Sequence, residues 1–141
     1  MSEGIQNQFV WPVRVYYEDT DTAGLVYYAN YLKFMERART EWLRTLGFEQ
    51  DRLAEEDGII FAVRRVEVEF HAPARFNDAL QVHVRMQESK RVSMTFRQEI
   101  REVHSDRLLC SGVVQVACID VEQFRPCAIP ELLLREIADA V

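Results

Sequence analysis

Cysteine is scarce in this sequence: Cys110, Cys118 and Cys127 are the only three in 141 residues. An odd count without a C-x-x-C pair argues against a disulfide framework or a thiolate zinc site. Cys110 and Cys118 fall in one apparent strand, about 26 Å apart at the rise of extended chain, too far to bridge. A reducing cytoplasm is the expected home. Long apolar runs are missing as well. No stretch approaches the roughly 20 apolar residues of a membrane-spanning helix. The opening "MSEGIQNQFVW" lacks the basic flank and apolar centre of a signal peptide, so none is expected. Positive charge is in deficit, 17 Lys and Arg against 23 Asp and Glu, for a net charge of -6. Wholesale binding of nucleic acid is therefore not expected. Repeats, linkers and low-complexity tracts are absent. The length and the 48% hydrophobic content suit a single domain, 1–141, with a sizeable core.

The hydrophobic pattern changes period along the chain. In "FVWPVRVYY", Phe9, Trp11, Val13, Val15 and Tyr17 share one face of a strand. Pro12 cannot donate to a ladder and points to an edge or a strand start. In "NYLKFMERARTEWLRTLG", Tyr31, Phe34, Met35, Ala38, Trp42 and Leu46 follow helical spacing, and Lys33, Glu36, Arg37, Glu41 and Arg44 supply the wet face. The helix is expected to begin between Val26 and Asn30, with Asn30 available as its cap, and to stop at Gly47. "DRLAEEDG" reads as a charged loop. Four strands follow: "IIFAVRRVEVEF", "ALQVHVRM", "RVSMTFRQEI" and "LLCSGVVQVACIDV". The last is apolar on both faces, as a covered central strand would be. A short helix with Pro130 at its first position closes the chain. Tight connections between the later strands imply antiparallel pairing. One amphipathic helix must lie on the sheet, so the class is α+β. The free sheet edges point to self-association.

The chemistry concentrates in "EDTDTAGLVYYANY", residues 18–31, where Glu18, Asp19 and Asp21 precede a glycine turn and an apolar, aromatic run. A calcium loop is disfavoured: counted from Asp19, the fifth position is Ala23 and the twelfth is Asn30, where a bidentate Glu is required. A turn in which Asp19, Thr20 and Asp21 cap nearby amides is the plain structural reading. Two features go beyond it. Asp21 stands just before a long helix, whose start offers free N–H groups to negative charge. Leu25, Val26, Tyr27 and Tyr28 would keep water scarce. A carboxylate and a backbone donor facing one dry cleft outline an acyl-transfer site.

"YYEDTDTAGLVYYANYLKFMERAR" closely resembles the YbgC-like acyl-CoA thioesterases of the 4-hydroxybenzoyl-CoA thioesterase group. The likeness rests on D-x-D-x-x-G from Asp19 to Gly24, on "VYYANY", and on "ERAR" at Glu36–Arg39; weaker similarity runs on to "FRPCAIP". The resemblance implies a hotdog fold, a curved antiparallel sheet around one long helix. It implies hydrolysis of an acyl-CoA, or of an acyl carrier protein thioester, to an acid and a thiol, with no cofactor and no metal. Asp21 matches the catalytic aspartate, which attacks the thioester carbonyl or activates water. Tyr28 matches the position whose backbone N–H binds the thioester oxygen. Many relatives carry His there, a departure that leaves the backbone role intact. Gly24 and Tyr27 would contact substrate, and Lys90 and Arg91 would meet the phosphates of coenzyme A. The resemblance also implies a homodimer or homotetramer with the active site between subunits.

Rival candidates are weaker. Glu36 and Glu41 sit on the polar face of the helix and read as solvated charge. His71, His83 and His104 all lie outside the motif, which disfavours a dehydratase. Ser111 has no G-x-S-x-G around it. A non-catalytic acyl-thioester or acyl-carrier binding protein on the same fold is the alternative, and the retained Asp21 argues against it.

Overall fold

A computed structural model describes residues 8–139. Five strands form one antiparallel sheet: β1 (Gln8–Arg14), β2 (Ile59–Phe70), β3 (Ala79–Ser89), β4 (Ser93–Glu102) and β5 (Leu108–Asp120). Their order across the sheet is β1-β3-β4-β5-β2. The long helix α1 (Tyr28–Thr45) follows β1, and a second helix α2 (Glu131–Asp139) closes the described chain. Pro12 lies in an edge strand, where its missing N–H leaves no gap in the ladder.

The sheet packs on α1 through the face that its spacing marks out. Tyr31, Phe34, Met35, Ala38 and Trp42 are buried, against Leu80, Val82, Val84, Phe96, Ile100 and Val114 from the strands. Each large apolar side chain so covered contributes about 1.5–3 kcal/mol. Register shifts in β2 between Val63 and Arg65, in β3 between Met86 and Glu88, and between Ile100 and Arg101 of β4 interrupt the ladders. Such bulges add local twist and bend to a sheet. Gly112 lets α1 approach β5: a Cβ there would lie 3.1 Å from the Glu67 carbonyl oxygen and 3.4 Å from Met35 Cε.

Several expectations are corrected. The first strand ends at Arg14, and Tyr17 opens a 3-10 turn, Tyr17–Asp19, instead of continuing the strand face. There Tyr17 is 76% exposed and stacks on Phe76, ring centroids 3.8 Å apart. Asn30 does not cap α1; Tyr27 holds the cap position and Asn30 is buried inside the first turn. The "DRLAEEDG" segment is helical. A turn at Gln50–Arg52 runs into a wider one at Leu53–Asp57, because Leu53 is buried and Gly58 ends the turn at φ 66. Strand β5 is fully covered on one face; on the other, Ala117 is buried while Ser111, Val113 and Gln115 remain partly exposed. The final helix starts at Glu131, with Pro130 just outside it.

The buried face of α1 includes one charged residue. Arg39 is 8% exposed, and its Nη1 donates to Gln98 Oε1 at 2.9 Å. Gln98 is fully buried on β4 and donates from Nε2 to the Met35 carbonyl at 2.9 Å. Among the described residues, no carboxylate comes within ion-pair distance of Arg39.

Candidate active site

The loop between β1 and α1 is built around Asp19, which is buried. Its Oδ2 accepts the Tyr16 N–H at 2.8 Å. Its carbonyl accepts the Tyr27 N–H at 2.9 Å and the Asn30 Nδ2 at 2.8 Å. Asp19 therefore ties the loop to the tip of the helix, which gives both it and Asn30 positioning roles. A second tie comes from Tyr31, whose buried hydroxyl accepts the Ala74 N–H at 2.9 Å. The Ala74 carbonyl in turn accepts the Val26 N–H at 2.9 Å, and the Gly24 carbonyl accepts the Phe76 N–H at 3.2 Å. The loop is thus held between the helix start and the segment before β3.

Asp21 heads a tight turn. Its N–H donates to the Leu25 carbonyl at 2.8 Å, and its carbonyl accepts the Gly24 N–H at 3.0 Å. Gly24 completes the turn at φ 78, a left-handed conformation that costs an L side chain strain. One carboxylate oxygen, Oδ1, accepts the Ala23 N–H at 2.9 Å and the Leu25 N–H at 3.3 Å. The other, Oδ2, accepts nothing among the described residues. The turn therefore fixes the carboxylate through one oxygen and leaves its partner free.

At the helix tip, the Tyr27 amide is spent on Asp19 and the Asn30 amide on the Tyr27 carbonyl. Tyr28 is the first residue of α1, where an N–H has no partner inside the helix. No hydrogen bond from it is found among the described residues. The Tyr27 and Tyr28 rings lie 4.8 Å apart, and Tyr28 meets Phe70 of β2 edge-on at 6.3 Å. The neighbouring Tyr28 phenol, through a hydrogen bond, raises the pKa of Tyr27.

The dry surroundings expected for this loop are not complete in one chain. Asp21 is exposed, and Tyr27 and Tyr28 are 49% and 62% exposed. A cleft of about 90 Å³ lies instead between α1 and the sheet, lined by Arg39, Thr40, Phe61, Met94, Phe96 and Val116. Arg39 is about 16 Å from Tyr28 along the helix axis, at 1.5 Å per residue. Lys90 and Arg91 are not brought to Asp21 either. They occupy the β3–β4 turn, both exposed, with Lys90 Nζ 3.4 Å from Glu88 Oε1. The length of β3, about 33 Å at the strand rise, separates that turn from the Asp21 end of the sheet.

The rival residues stay apart from the loop. Glu36 accepts the Thr40 hydroxyl, and Glu41 pairs with Arg44. His71 Nε2 contacts Ser111 Oγ at 2.8 Å in an exposed position. His104 is exposed in a turn, and the Nε2 of His83 is buried without a partner. The turn-capping role expected of Asp19 is seen in its bond from the Tyr16 amide, whereas the ties made by Asn30 and Tyr31 were missed. The signal for Tyr31 was a polar hydroxyl at a position that the helical spacing assigns to the core.

The comparisons with known proteins agree with this architecture. The family model described as the thioesterase-like superfamily matches residues 15–137. An acyl-CoA thioesterase YbgC from Haemophilus influenzae is 42% identical over 127 residues, covering 90% of this chain and 92% of its own. An acyl-CoA thioester hydrolase YbgC from Escherichia coli is 43% identical over 128 residues, covering 91% and 94%. A 1,4-dihydroxy-2-naphthoyl-CoA thioesterase from Synechocystis superposes with a TM-score of 0.88 at 23% identity, covering 94% of this chain and 96% of its own, a likeness of fold alone. The fold is the hotdog fold, and the chain belongs to the thioesterase-like superfamily, within its YbgC group.

Proposed function

We propose that this chain hydrolyses acyl-CoA thioesters, with Asp21 as the catalytic carboxylate and the Tyr28 amide as the donor to the thioester oxygen. The observation that carries the reading is the Asp21 carboxylate itself: Oδ1 is held by two amides while Oδ2 accepts nothing among the described residues. Two courses fit one free oxygen. It attacks the thioester carbonyl, expels the thiolate and leaves an anhydride for water to open, or it takes a proton from the water that attacks. In both, negative charge grows on the carbonyl oxygen. An unpaired amide at a helix start, aided by the helix dipole, stabilises that charge. Membership of the YbgC group supports coenzyme A as the thiol; an acyl carrier protein is the alternative donor.

A second copy of the chain completes the site in this reading. Strand β2 is an edge of the sheet, and it exposes Val63, Val66 and Phe70 at 51%, 39% and 51%. An unpaired edge with apolar side chains is a pairing surface. Antiparallel pairing of two β2 edges would set the Phe61 end of one copy beside the Phe70 end of the other. Phe61 lines the cleft and Phe70 meets Tyr28. Each Tyr28 amide would then face the second copy's cleft, and the second copy's Lys90–Arg91 turn would lie on the same side, available to coenzyme A phosphates. Gly24 and Tyr27 flank the bound thioester. The free thiols fit a cytoplasmic setting.

The test is thiol release from a panel of acyl-CoA substrates, run on the wild-type protein and on Asp21→Asn. The wild type releases coenzyme A. The Asn variant keeps its fold and loses roughly 10²- to 10⁴-fold in turnover, the usual worth of a positioned base. Normal turnover by Asp21→Asn overturns the assignment. Binding without thiol release by the wild type makes the protein an acyl-thioester binder instead.

A further inference from the structure

Two of the three thiols meet far from the Asp21 loop. Cys118 Sγ and Cys127 Sγ are 3.6 Å apart. The chain turns back after β5, with Phe124 at φ 53, so that Ile119 bridges Pro126 in antiparallel fashion. One step further along both strands, the Cys127 N–H donates to the Cys118 carbonyl at 2.9 Å. The two residues are therefore direct cross-strand partners. Such partners have Cα atoms about 4.5–5.5 Å apart, inside the roughly 4.4–6.8 Å span of a disulfide. Cys110 takes no part: it is buried earlier on β5.

We propose that Cys118 and Cys127 form a thiol-oxidation site, at which a peroxide converts the pair into a reversible intramolecular disulfide. Cys127 is partly exposed and Cys118 fully buried, so the oxidant meets Cys127 first. The Cys127 thiolate attacks a peroxide oxygen, the O–O bond breaks, and hydroxide leaves with the thiol's proton as water. Cys127 is then a sulfenic acid. The Cys118 sulfur attacks it, the S–S bond forms and the S–O bond breaks. The departing hydroxide takes the Cys118 proton as a second water. The two sulfurs together lose two electrons, and hydrogen peroxide gains them. Burial and the adjacent thiol push Cys118 up to about 12, in keeping with a slower, resolving role.

The location gives the bond a structural consequence. The Cys118 N–H donates to the Val92 carbonyl at 2.8 Å, and the Ile129 N–H donates to the Arg91 carbonyl at 2.9 Å. These two segments brace the Lys90–Arg91 turn from below, and the disulfide would join them covalently.

The experiment uses the full chain, reduced, desalted and treated with a small excess of hydrogen peroxide. Remaining thiols are alkylated in denaturant, and the protein is mapped by mass spectrometry without reduction. Alkylatable thiols fall from three to one, a cross-linked peptide joins Cys118 to Cys127, and dithiothreitol restores all three. Cys127→Ser forms no cross-link and keeps Cys110 and Cys118 alkylatable under the same treatment. Three thiols surviving the peroxide overturns the proposal. So does a sulfinic acid at Cys127 with Cys118 still alkylatable, or a link between two chains.

Discussion

Arg39 is a buried cation whose guanidinium, among the described residues, donates to a single amide oxygen, that of Gln98. Burial lowers its pKa to about 10, with Glu36 acting in the opposite direction. At about 1.4 kcal/mol for each tenfold change in proton affinity, this corresponds to about 3 kcal/mol of unfavourable burial. For a cation whose folded pKa is depressed, the unfolded chain binds the proton more tightly. The penalty is then complete below about pH 10 and relieved only as pH rises above it, so it is constant across neutral pH. Removing that acceptor with Gln98→Leu leaves the charge unpaired by any described residue and is expected to cost about 2–4 kcal/mol. Arg39→Met keeps the apolar stem and removes the charge. The relief of about 3 kcal/mol opposes about 1–3 kcal/mol for the orphaned Gln98 oxygen, which leaves the variant within about 1–2 kcal/mol of wild type or more stable. In the Arg39→Met background, Gln98→Leu should cost less than about 1 kcal/mol, because its acceptor no longer has work to do. Urea unfolding of all four proteins at one protein concentration measures the cycle. If Arg39→Met is the costly change and Gln98→Leu the neutral one, the account of this pair as a strained buried charge is wrong.

Two other expectations concern the loop and the acid side of the stability profile. Gly24→Ala meets no atom within 4 Å but must hold φ near 78, so it costs about 1–2 kcal/mol in unfolding and lowers thiol release by more than the folded fraction explains, since the turn aims Asp21. His83 is held below its usual pKa, chiefly by burial and also by Arg101, with Glu99 and Asp106 opposing. The unfolded chain therefore takes the proton first, and stability that is complete above about pH 6.5 declines as pH falls through that value towards the folded pKa. His83→Gln should flatten the fall in melting temperature between pH 7 and pH 5, and an unchanged profile would assign the acid loss to other groups.

The fold was legible where one face of an element alternates cleanly. Leu80, Val82 and Val84 announced β3, and the Phe34, Met35, Ala38 and Trp42 spacing announced α1. It was illegible where tertiary contacts decide. Leu53 alone turns a charged stretch into a helical turn, because its burial outweighs the polar neighbours. Arg39 and Gln98 were hidden because each looks like a surface residue until the other is placed opposite it. Asn30 looked like a cap because Asn is a good one, yet its amide is drawn inward to the Asp19 carbonyl, a partner eleven residues back. The loop motif pointed to Asp21 and Tyr28 through resemblance, whereas the hydrogen bonds that tie their loop to the helix tip come from Asp19, Asn30 and Tyr31.

The division of the candidate site between two ends of the chain follows from the strand order. In the order β1-β3-β4-β5-β2, the strand that carries Phe70 beside Tyr28 is also the strand that carries Phe61 into the cleft. These positions are nine residues apart, about 30 Å of extended chain. A single copy therefore has the Asp21 loop at one end and the cleft at the other. In the proposed pairing, an antiparallel partner on the β2 edge would exchange the two ends without moving either. The same pairing would cover Val63, Val66 and Phe70, which are exposed in a single chain. A charge placed on that edge, as in Val66→Lys, should then produce a monomer that keeps its loop geometry and loses thiol release. A monomeric variant with full activity would show that one chain is sufficient and would remove the reason for the shared cleft.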